Sequence, residues 1–299
     1  MNLKRLEYFM RVAELGSFSQ AALMLNIAQS ALSRQVRALE EELGTRLLER
    51  TGRGVLVTEA GRRLLEHGTG ILQQVERARE DMRGGELAGR VVVGIPPSIG
   101  RQLTLPLVAA FQQRLPHARL AIVEGLSTHI SEWLATGRVD IGLVHNPDPL
   151  QGIATTPLLD EVLCLVSPGK PDGALPPLPL NALPQHALIV PDGAHTIRKL
   201  VEAQAALSGL KLNIAWEVAS VPSIIDLVSA GYGHGVLSAE AVRVSARAAE
   251  LTIRPLCDPQ LTSVLCLAVS SQKRRTPLVA EAAALLKQLV AELHAVTAP

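Results

Sequence analysis

Aromatic side chains are scarce: three Phe, two Trp and two Tyr make up 2% of the 299 residues. So few rings argue against a binding pocket built on stacking. Cysteine is equally sparse. Cys164, Cys257 and Cys266 show neither metal spacing nor a disulfide framework, so reduced core thiols are expected. The eight histidines are scattered and none is spaced i, i+4, so no metal site is expected. No apolar run approaches about 18 residues, and no apolar leader precedes the first helical pattern. A membrane span and export are therefore not expected, and the cytoplasm is the expected location. Enzyme signatures are missing as well: there is no nucleophile elbow, phosphate loop or dinucleotide glycine fingerprint. "GYGHG" at Gly231 follows a helical pattern rather than a strand, and its His234 reads as a turn residue. No catalytic residue and no cofactor is expected.

What is present is a well-packed, charge-mixed chain, 47% hydrophobic with a net charge of +1. That length and composition predict two or three globular domains. Charge is unevenly spread. Residues 1–39 carry Lys4, Arg5, Arg11, Arg34 and Arg37 against Glu7 and Glu14, a net of +3. From residue 91 onward, 15 basic and 16 acidic residues give −1. The basic excess sits where a duplex-facing module would place it.

Residues 3–13, "LKRLEYFMRVA", put Leu3, Leu6, Phe9, Met10 and Ala13 on one helical face, ending at Gly16. Ser17 and Gln20 have capping-box spacing ahead of a second helix with Ala21, Ala22 and Leu25 inward. About three residues then separate it from a third helix, a tight joint that forces the two to cross steeply as in a helix-turn-helix. In the third, Ala31, Leu32, Val36, Leu39 and Leu43 form the inward stripe. Gln29, Ser30, Ser33, Arg34 and Arg37 are left at its start and on its outer face. Gln and Arg can bond bidentately to adenine and guanine edges in a major groove, although a solvated surface helix would carry similar residues.

The next segment separates those readings. Two short strands, near Leu47–Arg50 and Val55–Val57, are joined at Thr51-Gly52-Arg53-Gly54. Glycines flanking Arg53 permit a tight turn that lifts one cation to its tip, which suits a narrow minor groove. Arg50 would sit lower, against phosphate. Thr58 and Glu59 then open a long helix ending at Gly84-Gly85. Leu64, Gly68, Ile71, Val75, Ala78 and Met82 recur at 4-3-4-3-4, a heptad seam. Arg62, Arg63, Glu66, Arg77, Arg79 and Glu80 charge the outer face, so one stripe is buried, and pairing with a second copy is expected.

The stretch "SFSQAALMLNIAQSALSRQVRALEEELGTRLLERTGRGVLVTEAG" resembles the winged helix-turn-helix of LysR-type transcriptional regulators, long and without gaps. "LTLPLV" and "LATGRVDIGLV" are similar to the nitrogen-assimilation-control branch of that family. The resemblance implies a double-stranded DNA operator, a small-molecule effector, homodimers with homotetramers frequent, and RNA polymerase as a further partner. It assigns Gln29, Ser33 and Arg34 to base reading, and Arg50 and Arg53 to wing contacts. The family usually has Ser-Gln-Pro-Ala where this chain has Ala28-Gln29-Ser30-Ala31. Ala28 cannot cap the helix, and Ser30 is expected to take over the cap or to bond a phosphate.

From Arg90 onward strands and helices alternate: "RVVVGI", "RQLTLPLVAAFQQRL", "RLAIVEG", "HISEWLATG", "VDIGLV". A second set, from "HALIV" to "HGVL", repeats the order, which predicts parallel sheets with helices on both faces. "EVLCLVSP" and "SVLCLAVS" read as two strands crossing between two lobes. A final helix near Leu278–Leu293 returns to the first lobe. The expected architecture is α+β and multidomain, with the effector domain two-lobed and periplasmic-binding-protein-like. Its parts are a winged helix-turn-helix at 1–58, a linker helix at 59–88 and an effector domain at 89–299. Within the last, lobe I covers about 89–161 and 267–299, and lobe II about 162–266.

Ligands of such folds sit at the carboxyl ends of strands. The candidates there are Ser98 and Ile99, Ser127 and Thr128, His145, His195 and Thr196, and Ser220 and Ser223. Hydroxyl-bearing helix starts receive anions, so a small carboxylate or other anion is the expected effector. Many such hydroxyls merely cap helices. A solute-binding protein without a DNA role is the alternative, but it needs an export signal and leaves Arg34 and Arg53 unexplained. Cys164 and Cys266 hold like positions in the two hinge strands, which raises a redox pairing. The inertness of buried thiols speaks against it.

Overall fold

The computed structural model describes residues 1–52, 54–83, 87–169, 175–271 and 276–297, without the side chains of residues 77, 80–83, 296 and 297. Arg53 of the wing tip, Met82 of the seam, and Arg77 and Glu80 of its outer face therefore lie outside the described residues. The chain forms two compact units, residues 1–85 with 136–138, and residues 86–135 with 139–299.

In the first unit, α1 (Leu3–Leu15) is capped by Asn2, whose side chain accepts from the Lys4 N–H. It stops at Gly16, φ +59°, a left-handed position open to glycine at no steric cost. Ser17 caps α2 (Phe18–Met24) by accepting from the Gln20 N–H, and α3 spans Gln29–Leu43. Leu6, Phe9, Val12, Phe18, Ala21, Leu32, Val36 and Leu39 close one core. Leu43, expected inward, is exposed, because Gly44 turns the chain away there. β1 (Leu48–Thr51) and β2 (Gly54–Val57) form an antiparallel hairpin from Leu48↔Val57 to Thr51↔Gly54. Glu40 Oε1 fixes its start by accepting from the N–H groups of both Leu47 and Leu48.

Thr58 opens α4 (Glu59–Arg83), accepting from the Gly61 N–H and donating to the Arg46 carbonyl. Leu64 and Ile71 of the heptad seam pack against the head's own core. A Cβ on Gly68 would come within 2.9 Å of Met10 Sδ. Its lack of a side chain therefore admits α1 of the same chain, where the sequence read room for a partner helix. Val75 is half-buried and Ala78 exposed.

The second unit holds two lobes sharing one sheet path. In lobe I, β3 (Gly89–Ile95) runs parallel to both β4 (Ala118–Glu124) and β5 (Ile141–His145). The connecting helices are α5 (Pro97–Arg114) and α6 (Ser127–Thr136). β6 (Ile153–Pro168) is 16 residues long and crosses between lobes. Its Ile153–Val162 portion pairs with β12 (Thr262–Ser270), and Leu163–Pro168 pairs with β10 (His234–Ser238) and β11 (Leu251–Cys257). β10 runs parallel to β8 (Leu188–Val190), which runs parallel to β9 (Ile214–Glu217), and β7 (Leu178–Pro179) pairs with β11. Helices α7 (Thr196–Leu207), α8 (Val221–Ser229) and α9 (Ala239–Arg243) belong to lobe II. α10 (Pro277–Thr297) returns to lobe I and packs into the core of α5, β3 and β5.

β12 pairs with β6 from Thr262 to Ser270 and with β5 from Leu265 to Val269. The strand positions alter two readings. Cys266 faces Val144 and Pro157, whereas Cys164 faces Leu237 and Pro255. Positions 157 and 164 are seven residues apart on β6, about 23 Å at about 3.3 Å per residue. A disulfide needs Cα atoms within about 7 Å, so the redox pairing of Cys164 with Cys266 is overturned. His234 is not in a turn. It begins β10, with Nδ1 2.8 Å from Ser167 Oγ and its ring edge-on to His186 at 4.7 Å.

Candidate functional site

Two sites emerge, one in each unit. On α3, Gln29, Ser30, Arg34 and Arg37 are exposed, and Ser33 is half-buried. Ala28 is the N-cap, with φ −66° and ψ 135°, and supplies no side-chain cap. Ser30 lies inside the helix and does not take over that role. The first-turn N–H groups of Gln29 and Ser30 are thus left uncapped at the positive end of the helix, ready for an anion such as phosphate. Arg34 has no hydrogen-bond or ion-pair partner among the described residues, while Arg37 pairs with Glu41 at 3.3 Å.

Arg50, expected low on the wing, is held within the head. Its Nη2 donates to Ser33 Oγ at 2.6 Å, and its guanidinium carbon lies 4.8 Å from the Phe18 ring centroid. Arg50 therefore ties the wing to the reading helix and orients Ser33. Glu40, which holds the base of the wing, and Arg5, which donates to Gln35 of α3 at 3.1 Å, were not singled out in the sequence. Their partners lie past the turn that ends α3, 7 and 8 residues on, or on a different helix 30 residues away.

The second site is a cavity of about 310 Å³ where both lobes present strand ends. The starts of α5, α6, α7 and α8 all border it. Ser98, Ser127, His145, His195, Thr196 and Ser220 line it. Thr128 lies beside it in an adjoining cavity of about 370 Å³ that shares Ser127, His145 and Thr196. Ile99 and Ser223 are not in either lining: Ile99 is buried in the lobe I core under α5, and Ser223 is exposed on α8.

Ser127 Oγ accepts from the His145 N–H at 2.9 Å. His145 Nε2 sits 2.8 Å from Glu161 Oε2, with side chains only 11% and 8% exposed. Glu161, Ser238 and Ser263 also line the cavity and were missed. Nothing local marks them, because they come from three strands: Glu161 from β6 where its pairing passes from β12 to β10, Ser238 from the end of β10 and Ser263 from β12. His195 Nδ1 accepts from the Ile197 N–H at 3.3 Å, so its proton belongs on Nε2. Burial, then the nearby His145, lowers its pKa below 6.5, with Asp192 opposing. Pro96 and Ser220 provide no side-chain cap for α5 and α8. No Lys or Arg is among the described residues lining this cavity. Its positive character comes from helix dipoles and N–H groups.

Comparison with known proteins bears on both units. The model described as "Bacterial regulatory helix-turn-helix protein, lysR family" matches residues 3–62, and "LysR substrate binding domain" matches 84–291. The nitrogen assimilation regulatory protein nac of Klebsiella aerogenes is 34% identical over 280 residues, covering 93% of this chain and 91% of that protein. That match supports the branch likeness read from the sequence. The hydrogen peroxide-inducible genes activator of Haemophilus influenzae is 30% identical over 236 residues, 78% of each chain. A full-length OxyR variant from Pseudomonas aeruginosa superposes with a TM-score of 0.70 at 25% identity, covering 97% of this chain and 94% of that one. CbnR, a LysR family transcriptional regulator, shares the fold at a TM-score of 0.71 and 22% identity, over 97% and 99% of the two chains. Among the described residues no helix is long and apolar enough to cross a membrane. The chain belongs to the LysR family of DNA-binding transcriptional regulators, with a helix-turn-helix head and an effector-binding domain, and it is not an enzyme.

Proposed function

We propose that a small monoanion, a carboxylate above all, occupies the inter-lobe cleft and switches operator binding or activation. One observation carries this reading: the starts of four helices, α5 to α8, converge with Ser98, Ser127, Thr196 and Ser220 on one cavity of about 310 Å³. The uncapped starts of α5 and α8 supply N–H donors for an anion. With no guanidinium among the described wall residues and Glu161 close by, a dianion would meet more repulsion than a single carboxylate. Ser98, Ser127 and His145 belong to lobe I, and His195, Thr196 and Ser220 to lobe II. A ligand touching both sets favours one hinge angle by its differential affinity.

In the same reading, Gln29, Ser30, Ser33, Arg34 and Arg37 meet a major groove, while Arg50 and Arg53 carry the wing to backbone and minor groove. Val75, Ala78 and Met82 extend the seam beyond the head and pair with a second copy, giving homodimers. The outer strands β4 and β9, the latter with exposed Trp216, and exposed Leu105 of α5 and Leu207 of α7 fit further copy-to-copy contact toward a homotetramer. Activation engages RNA polymerase, and the cytoplasm is the place of action. The test is a thermal-shift screen of carboxylates, sulfonates and phosphates, followed by calorimetry on Ser98→Ala and Thr196→Ala. Each lost hydroxyl costs about 0.5–1.5 kcal/mol of effector affinity. Effector-free operator binding stays unchanged. Wild-type affinity in both variants would move the effector out of this cleft.

A further inference from the structure

The cavity of about 370 Å³ beside the cleft shares Ser127, His145 and Thr196 with it, so one ligand can reach both. Its walls are more polar in their side chains. α6 of lobe I presents Thr128 and Ser131, and α7 of lobe II presents Thr196 and Lys199. Each pair is spaced i, i+3 and so shares a helix face. Asp148, beyond β5, borders the same space. None of these side chains has a hydrogen-bond or ion-pair partner among the described residues. Ser131 is the informative one. It is 8% exposed, borders this cavity, and its hydroxyl forms no bond to the carbonyl one turn back, the usual partner of a serine inside a helix. The sealed, unpartnered side-chain atoms among the described residues are Gln73 Oε1 and Glu240 Oε1. The Ser131 oxygen therefore keeps open surface, and it is this cavity that it borders. A hydroxyl so deeply placed needs a polar partner from whatever fills the space.

We propose that the effector is a polyhydroxylated monocarboxylate, a sugar acid, whose carboxylate lies in the cleft and whose hydroxylated arm extends into this cavity. The carboxylate half rests on the cleft reading above, and the arm rests on Ser131 and its neighbours. Three other chemistries compete for the arm. A hydrocarbon would displace water from Thr128, Ser131 and Thr196 and leave their hydroxyls unpaired. A second carboxylate only accepts, so it suits Lys199 but is repelled by Asp148. An ammonium only donates, so it suits Asp148 but is repelled by Lys199. Hydroxyls do both: they accept from Lys199, donate to Asp148 and pair with Ser131 in either sense. A wall of this kind rejects an analogue lacking the hydroxyls, because its own polar groups are then stranded. With α6 in lobe I and α7 in lobe II, the arm adds to the preference for one hinge angle.

Calorimetric titration of the full chain tests this with the hexonates gluconate, galactonate and mannonate, with hexanoate, and with the neutral polyol sorbitol. The expected result is saturable binding of at least one hexonate, with hexanoate and sorbitol weaker by about tenfold or more. Ser131→Ala and Lys199→Met should each weaken that hexonate by about threefold to tenfold and leave hexanoate no weaker. Ser98→Ala should weaken both carboxylates. Circular dichroism checks folding, and should Ser131→Ala not fold, Lys199→Met decides alone. Hexanoate binding as tightly as every hexonate overturns the hydroxylated arm and leaves the anion reading of the cleft standing. Sorbitol binding as tightly as the hexonates overturns the carboxylate half, and the cleft reading with it. No saturable hexonate binding, or full hexonate affinity in both variants, overturns the proposal.

Discussion

Replacing Glu40 by Ala should unfasten the wing from the reading head. Glu40 Oε1 accepts from the Leu47 N–H at 2.8 Å and the Leu48 N–H at 3.1 Å. The residues at those two positions are 1% and 7% exposed, so water has poor access to the freed donors. A hydrogen bond to an ionised acceptor contributes about 1.5–3 kcal/mol, and an orphaned buried donor costs about 1–3 kcal/mol. Because both bonds share one oxygen, the two losses do not add fully, and about 2–4 kcal/mol is the expected destabilisation. In a head of this size each kcal/mol corresponds to about 4–8 °C of melting temperature, so the head should melt well ahead of the effector domain. Glu40→Gln keeps a neutral acceptor and should lose about half as much, since charge assistance roughly doubles such a bond. Hydrogen exchange read by mass spectrometry, with urea unfolding of the full chain, measures both. Faster exchange confined to the segment from Thr45 to Val57 is expected. Unchanged exchange there in Glu40→Ala, with unchanged unfolding, would refute the reasoning.

Arg34→Ala should cost about 1–3 kcal/mol at one operator base pair, read as a smaller preference for operator over scrambled duplex; equal loss on both duplexes would remove it from base reading. Arg50→Ala should weaken binding to all sequences and, through the released Ser33, also blur discrimination, so a double-mutant cycle with Ser33→Ala in binding assays should be non-additive. Val75→Asp should give monomers by light scattering while the head stays folded, whereas Ile71→Asp, packed against the head's own core, should unfold the head; an intact oligomer in Val75→Asp would move the interface elsewhere. His195, His186 and His234 all have pKa values lowered by burial, so the folded state binds protons less readily than the unfolded chain. Their contribution to stability is complete above the ordinary value of 6.5 and is lost as pH falls through their folded values. Urea midpoints should drop from pH 7 to 5, and His195→Gln should flatten that slope. Cys164, its thiol pushed up to about 11 by burial, should stay reduced in peroxide and form no bridge to Cys266, as thiol counting on native protein would register.

The reading head was legible because its signals are local. Leu6, Phe9, Leu32, Val36 and Leu39 recur at helical spacing, Ser17 caps three residues ahead of Gln20, and Gly44 stops α3 within one turn. The same is true of the strand-end hydroxyls at Ser98, Ser127, Thr196 and Ser220, since each opens a helix directly after a recognisable apolar strand. Periodicity could not tell which partner an apolar stripe would meet. Leu64, Gly68 and Ile71 keep a perfect heptad, yet it is α1 of the same chain that fills it. "EVLCLVSP" and "SVLCLAVS" look alike, but β6 pairs with strands of both lobes while β12 pairs only with β5 and β6, and that separates Cys164 from Cys266. Arg50 on Ser33, Glu40 under the wing, and Glu161 beside His145 join residues 7 to 17 positions apart through turns and strand crossings. Such contacts depend on register and on the path of the chain through space. Local pattern decides what each element is, whereas the burial of one element against another decides what each side chain touches.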